Sequence, residues 1–103
     1  MLAKVKLALR ISTDVFDAEL LDLIAAAIAD MKHAGPQFSH TVVTDNNNAV
    51  TDYTISDPLV ARAVVTYCRA FFGSPADYDK LKAAYDEQKG QLRESSGYGM
   101  EAL

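Results

Sequence analysis

The sequence contains no tryptophan, one cysteine and no apolar run long enough to span a membrane. A single cysteine cannot form an intramolecular disulfide. Cys68 lies on the apolar side of a helical pattern, which predicts a small buried core residue. The alternative, a nucleophile, would need a base and an activating environment, and the sequence shows neither. The first residues alternate charged and apolar side chains, unlike a signal peptide, so we expect the chain to be made and used in the cytosol, or released by lysis.

Positive charge is also scarce. Ten lysines and arginines stand against 14 aspartates and glutamates, which gives a formal net charge of −4. A protein that holds nucleic acid by its phosphates needs a clustered excess of Lys and Arg. The charge balance therefore argues against a DNA-binding protein, although it is compatible with DNA that passes nearby without being held. Half of the residues are apolar, an ordinary globular composition that excludes wholesale disorder.

Motifs for catalysis or metal binding are missing as well. Asp45, Asn47 and Asp52 match a calcium-binding loop only in composition, because the loop's glycine and one of its ligand positions carry other residues. His33 and His40 have neither helical i,i+4 spacing nor accompanying cysteines. No glycine-rich phosphate loop and no recognisable Ser/His/Asp pattern is present. We therefore expect no catalytic residue, no metal and no cofactor.

The most regular part of the chain is residues 56–97, where two helical patterns flank a break at Gly73. Asp57 is a good capping residue, and Pro58 suits the first turn of a helix. Gly73 suits the left-handed position that ends a helix, and Ser74 is predicted to cap the next helix directly afterwards. The spacing of the apolar residues predicts a helical hairpin whose two apolar seams face each other.

Two further helices are predicted before the hairpin. The first is short, and the second runs from about Asp14 or Asp17 to a stop at Gly35. One flank of the second helix is rich in alanine. The high helix propensity of alanine explains this flank, and a smooth surface for a neighbouring helix is the alternative. The predicted core residues of all the helices are Leu20, Ile24, Ile28, Val60, Val64, Tyr67, Phe71, Leu81 and Tyr85.

Residues 37–55 lack helical periodicity. Two β-branched runs flank turn-forming residues 45–48, which predicts a long central loop or a short β-hairpin arm. Two strands alone are barely stable, so such an arm should lean on the rest of the domain. After Leu92 the helical pattern fades, and residues 95–103 are predicted to form a flexible tail. We therefore expect one all-α domain over residues 1–103, a small bundle of about four helices with a projecting arm.

Five stretches of the chain have the order and spacing of a known family. They are residues 4–20, 57–63, 67–73, 75–81 and 85–92. Together they resemble the head–tail connector proteins of long-tailed phages and prophages, which are small helical adaptors often called DNA-packaging proteins. No single motif among them is catalytic or diagnostic. The resemblance covers most of the chain outside the middle segment, which is longer than is typical of the family.

This resemblance implies a structural virion component made in the host bacterial cytoplasm, and not an enzyme or a membrane protein. It implies a ring of about a dozen copies in the virion neck, at the head–tail interface. The ring would dock beneath the portal protein, carry the stopper and tail proteins, and extend the DNA channel. DNA would pass through without sequence-specific binding, which suits an acidic protein because tight phosphate contacts would impede its passage.

The resemblance also implies two contact segments. The candidate ring or stopper contacts are Thr41, Val43, Asp45, Asn46, Asn47, Asn48, Val50 and Tyr53. The candidate portal-docking residues are Ser95, Tyr98, Met100 and Leu103. The competing hypothesis is a stand-alone helical module for protein–protein interaction or regulation, which would have no reason to form a closed ring. An enzyme would need a concave pocket with converging polar groups, and the sequence names none.

Overall fold

The computed structural model describes residues 1–35 and 38–94, and this part of the chain forms four helices and two strands. They are α1 (Leu2–Leu9), α2 (Asp17–Ala34), β1 (Thr41–Thr44), β2 (Val50–Thr54), α3 (Pro58–Phe71) and α4 (Tyr78–Glu94). The described part is mostly helical, which confirms the predicted small helical bundle, and of the two predicted forms of the arm it contains the β-hairpin. The predicted flexible tail lies outside the described residues.

Helix α3 begins where the sequence predicts. The Asp57 carboxylate accepts hydrogen bonds from the backbone N–H groups of Leu59 at 2.9 Å and Val60 at 3.3 Å. These bonds satisfy donors that have no partner inside the helix. Beyond its other end Gly73 has a φ of 68°, a left-handed conformation that costs glycine little and turns the chain back.

Helix α4 begins later than the sequence indicates. Ser74 does not cap it, because the helix starts at Tyr78, after a turn in which the N–H of Tyr78 donates to the carbonyl of Pro75 at 3.2 Å. The ring of Tyr78 packs edge-on against the ring of Phe71, with centroids 5.7 Å apart. The contact joins the last residue of α3 to the first of α4, so packing between the two helices accompanies the start of α4.

Helix α3 is central, in contact with α1, α2 and α4, and half of its residues are buried. One of them is Thr66, whose hydroxyl donates to the carbonyl of Arg62 at 3.1 Å. Seven of the predicted core residues are buried: Leu20, Ile24, Ile28, Val60, Val64, Leu81 and Tyr85. Val5 and Cys68 join the same cluster, so even the short α1 contributes to the core.

Two of the predicted core residues, Tyr67 and Phe71, are partly exposed instead. Their rings lie one helical turn apart on α3, with centroids 4.5 Å from each other. The Tyr67 ring also meets the Tyr85 ring edge-on at 5.1 Å. Both rings therefore cover the contact between α3 and α4 without being enclosed by it. Helical spacing predicts the apolar side of α3 correctly but not the depth to which each ring is buried.

A polar contact joins α2 to α4. The Tyr85 hydroxyl donates to Asp30 Oδ2 at 2.6 Å, and Lys89 Nζ lies 3.0 Å from the same oxygen. Burial acts to raise the pKa of Asp30, but the hydrogen bonds from Tyr85 and Lys89 outweigh it, so the pKa lies below its ordinary value. Burial, followed by the Asp30 hydrogen bond, raises the pKa of Tyr85, so this phenol stays protonated. Both effects fix Asp30 as an acceptor and Tyr85 as a donor.

Candidate assembly surfaces

The hairpin is a two-stranded antiparallel sheet in which Val42 pairs with Tyr53 and Val43 pairs with Asp52. After these pairs the register shifts, and Thr44 lies opposite Val50. The shift is a bulge, which bends a strand and increases its twist. Every residue of β1 is exposed, including the two valines at 45% and 38% of their full accessible surface. The hairpin thus presents β-branched side chains to solvent.

The tip of the hairpin is held by its own hydrogen bonds. The Asp45 carboxylate accepts from the backbone N–H groups of Asn47 at 2.8 Å and Ala49 at 3.0 Å. The N–H of Asn48 donates to the Asp45 carbonyl at 3.1 Å, and Asn48 has a left-handed φ of 62°. Aspartate and asparagine suit these roles, because their short side chains bond to nearby backbone and tolerate positive φ. The turn therefore has a defined shape.

The N-terminal residues attach the hairpin to the helices. The carboxylate of Asp52 on β2 accepts from the N–H of Leu2 at 2.9 Å and lies 3.3 Å from the Met1 ammonium, which donates to the Tyr53 carbonyl at 3.0 Å. Burial acts to raise the pKa of Asp52, but hydrogen bonds from the backbone of Leu2 and Tyr53, together with the nearby ammonium, lower it below its ordinary value. Asp52 therefore ties β2 to the start of α1.

A cavity of about 330 Å³ lies between α2 and the hairpin. It is lined by Ala25, Ile28, Ala29, Lys32, His40 and Tyr53. The alanine-rich flank of α2 thus borders the hairpin arm of the same chain. His40 Nδ1 is buried and has no hydrogen-bond partner among the described residues. Burial, followed by the charge of Lys32, lowers the pKa of His40, so this imidazole is neutral near pH 7.

The candidate ring or stopper contacts separate into two groups in the structure. The exposed ones are Thr41, Val43, Asp45, Asn46, Asn47, Asn48 and Val50. Tyr53 is partly buried and packs against the core, so it attaches the arm to the helices and is less accessible to a partner. The candidate portal-docking residues, Ser95, Tyr98, Met100 and Leu103, lie outside the described residues.

The described residues include no metal-binding cluster and no reactive thiol. Within residues 1–35 and 38–94, no group of three or more His, Cys, Asp or Glu side chains could hold a metal ion. Cys68 is fully buried, and burial raises the pKa of its thiol to about 12, so the thiolate needed for nucleophilic attack is scarce. In the same part of the chain, no helix is both long and apolar enough to cross a membrane.

Sequence reasoning missed two residues that shape these surfaces. Asp52 and Asp30 bond to groups 50 and 55 positions away in the chain, at Leu2 and Tyr85. Local spacing gives no information about such distant partners. The one available signal was the position of Asp52, a carboxylate inside an otherwise uncharged β-branched run. Aspartate is depleted in strands, so its presence there indicated a specific partner.

Comparison with known proteins identifies one family. The sequence model described as "Phage connector protein" matches residues 1–99, which is nearly the whole chain. No curated protein and no solved structure gives a significant match. The family match includes the helices, the hairpin arm and most of the segment after α4.

Proposed function

The chain belongs to the phage connector protein family, and from this membership we propose that it forms an oligomeric ring between the capsid portal and the stopper and tail. Membership makes it a structural component of the virion neck that interacts with other head and tail proteins. The ring, its channel for DNA and its docking to the portal are the proposal. The match over residues 1–99 is the observation that carries it.

The exposed hairpin supports a role in assembly. It presents Val42, Val43 and Val50 to solvent at 38–45% exposure, on an arm whose turn and attachment are both hydrogen-bonded. An isolated hairpin with uncovered β-branched residues gains stability when another surface packs on it. The hairpin is therefore proposed as a contact with the stopper or with a neighbouring subunit.

Native mass spectrometry of the purified chain, alone and mixed with the portal ring of the same phage, tests the ring. We expect rings of about a dozen subunits or stoichiometric loading of the portal. A protein that stays a single chain in both samples would contradict the proposal and favour a stand-alone interaction module. Circular dichroism on the same sample ensures that the chain tested is folded.

Shortening the hairpin tip is the first prediction from this proposal. Replacing residues 46–48 by an Asn-Gly turn should leave the melting temperature nearly unchanged, because these three residues are all exposed and Asp45 stays opposite Ala49. Ring formation or loading of the stopper should decrease clearly in native mass spectra. A matched control replaces exposed Ala18 on α2 by glutamine, which leaves the arm intact. A large loss of stability with normal assembly would show that the tip serves the fold and not a contact.

Removal of residues 95–103 is the second prediction. The truncated chain keeps Leu92 of α4, which is buried, so its melting temperature should stay close to that of the full chain. Co-sedimentation with the portal should be lost, because the candidate docking residues are gone. Normal portal binding by the folded, truncated chain would exclude this role for the tail.

A further inference from the structure

A basic strip runs along the exposed side of α3. Arg62 and Arg69 are both exposed on this helix and are seven residues apart, about 10 Å along the axis. Beside Arg62 lies a groove of about 280 Å³ between α1 and α3, which Lys4 also borders and whose other lining residues are Pro58, Ala61 and Val65. We call Lys4, Arg62 and Arg69 the basic strip.

The three cations of the basic strip have no ion pair within the described residues, and neither have Arg10, Lys32 and Lys80, whereas Lys6, Lys82 and Lys89 each contact a carboxylate. Lys4 and Arg62 border the groove, whose other lining residues are apolar, and Arg69 lies about two turns further along the same side of α3. Such a surface attracts a partner of opposite charge.

An acidic strip lies on the solvent side of α4. Asp79 and Glu87 are exposed and eight residues apart, about 12 Å along the helix, with Ala83 exposed between them. Neither carboxylate has an ion pair within the described residues. Residues four apart lie on one helix face, so Asp79, Ala83 and Glu87 form a continuous strip with a small residue at its centre.

We infer that the basic strip of one subunit binds the acidic strip of the next subunit, in a head-to-tail contact that repeats around a ring. The inference rests on the proposed function and names the surfaces through which that ring would close. The two strips have nearly the same charge spacing, and the long Lys and Arg side chains accommodate the small difference. Because Ala83 is small, the α4 backbone can approach the groove beside Arg62. Arg62 and Arg69, which flank Val65 on α3, then face the carboxylates of Asp79 and Glu87.

A second copy of the chain fits the basic strip better than DNA does. Three cations make few phosphate contacts, and the overall negative charge repels a polyanion. The partner strip, in contrast, is present on every subunit. Two different surfaces of one chain that complement each other give a heterologous contact, which is the geometry that generates rings. This contact would leave the hairpin free to meet a protein outside the ring.

A charge exchange between two variants tests the pairing. One variant carries Arg62→Glu and Arg69→Glu, and the other carries Asp79→Lys and Glu87→Lys. All four positions are exposed, so each variant should melt close to the unmodified chain. Each variant alone places like charges against each other and should give single chains by native mass spectrometry. An equimolar mixture should restore rings in which the two variants alternate, and a chain with all four changes should form rings by itself.

The possible results distinguish failure of the contact between the two strips from failure of the proposed ring. If the unmodified chain forms no ring and does not load the portal, the proposed function fails together with the inference. If the unmodified chain assembles and each variant alone assembles equally well, only the inference is overturned. It is also overturned if the single variants and their mixture all stay as single chains. Unchanged rings combined with a loss of DNA retention in the Arg62→Glu, Arg69→Glu variant would identify DNA as the partner of the basic strip.

Discussion

Replacing Tyr85 by alanine is expected to lower the free energy of unfolding by about 3–5 kcal/mol. Tyr85 is among the largest fully buried side chains, with 1% of its surface exposed. The change removes a ring that contacts Tyr67 and leaves a cavity between α3 and α4. It also removes one of the two donors to Asp30 Oδ2, which then keeps only Lys89. Urea denaturation followed by circular dichroism measures the loss.

Two control variants divide this effect into its parts. Tyr85→Phe keeps the ring and removes only the hydroxyl, so it should cost about 1 kcal/mol. Tyr78→Ala removes another tyrosine of the same helix, one that is 38% exposed, and should also cost about 1 kcal/mol. If Tyr85→Ala costs no more than Tyr78→Ala, Tyr85 does not hold α4 against the bundle.

The helices could be predicted from the sequence because their signals are local. Helix α3 combines a capping aspartate, a proline in the first turn and apolar residues at helical spacing, and all three are visible within 15 positions. The sequence predicts the hairpin as one of two alternatives, because β-branched runs around Asp45 and Asn48 fit a strand–turn–strand as well as a loop. The structure selects the hairpin, in which the carboxylate of Asp45 forms the hydrogen bonds that shape the turn.

The details that the sequence could not predict depend on contacts between distant residues. Helix α4 starts at Tyr78, where this residue packs on Phe71, and not directly after Ser74. The exposure of Tyr67 and Phe71 depends on where α4 lies against α3. The contacts of Asp30 and Asp52 cross at least 50 positions. In each case local chemistry predicts the element, and tertiary packing decides its exact position.

The candidate contact surfaces also depend on contacts between distant residues. Sequence spacing places Arg62 and Arg69 on one side of α3, but only the structure shows that Lys4 of α1 borders the same groove. It also shows which charges are already satisfied, because Lys82 pairs with Asp86 whereas Asp79 has no ion pair within residues 1–35 and 38–94. A charged side chain indicates a contact with a partner only after the ion pairs within the chain are known.

Replacing Asp52 by alanine should lower the free energy of unfolding by about 1–3 kcal/mol. The change leaves the N–H of Leu2 and the Met1 ammonium without the carboxylate that joins β2 to α1. Backbone amides of the hairpin should then exchange with deuterated water faster than those of α3, because the arm detaches more often than the core opens. The matched control is Asp22→Ala, which removes an equal charge from an exposed position on α2 and should stay within about 0.5 kcal/mol.

The acid dependence of this difference provides a second, independent measurement. The pKa of Asp52 is lower in the folded protein than its ordinary value of 3.8, so the folded state favours the charged carboxylate. The stabilisation is therefore fully present above that ordinary value and is lost as the pH falls through the lower, folded pKa. The unmodified chain and Asp52→Ala should differ most near neutral pH and converge in strong acid. A difference that stays constant from pH 7 to pH 2 would mean that Asp52 acts through packing and not as a charged acceptor for the N-terminal residues.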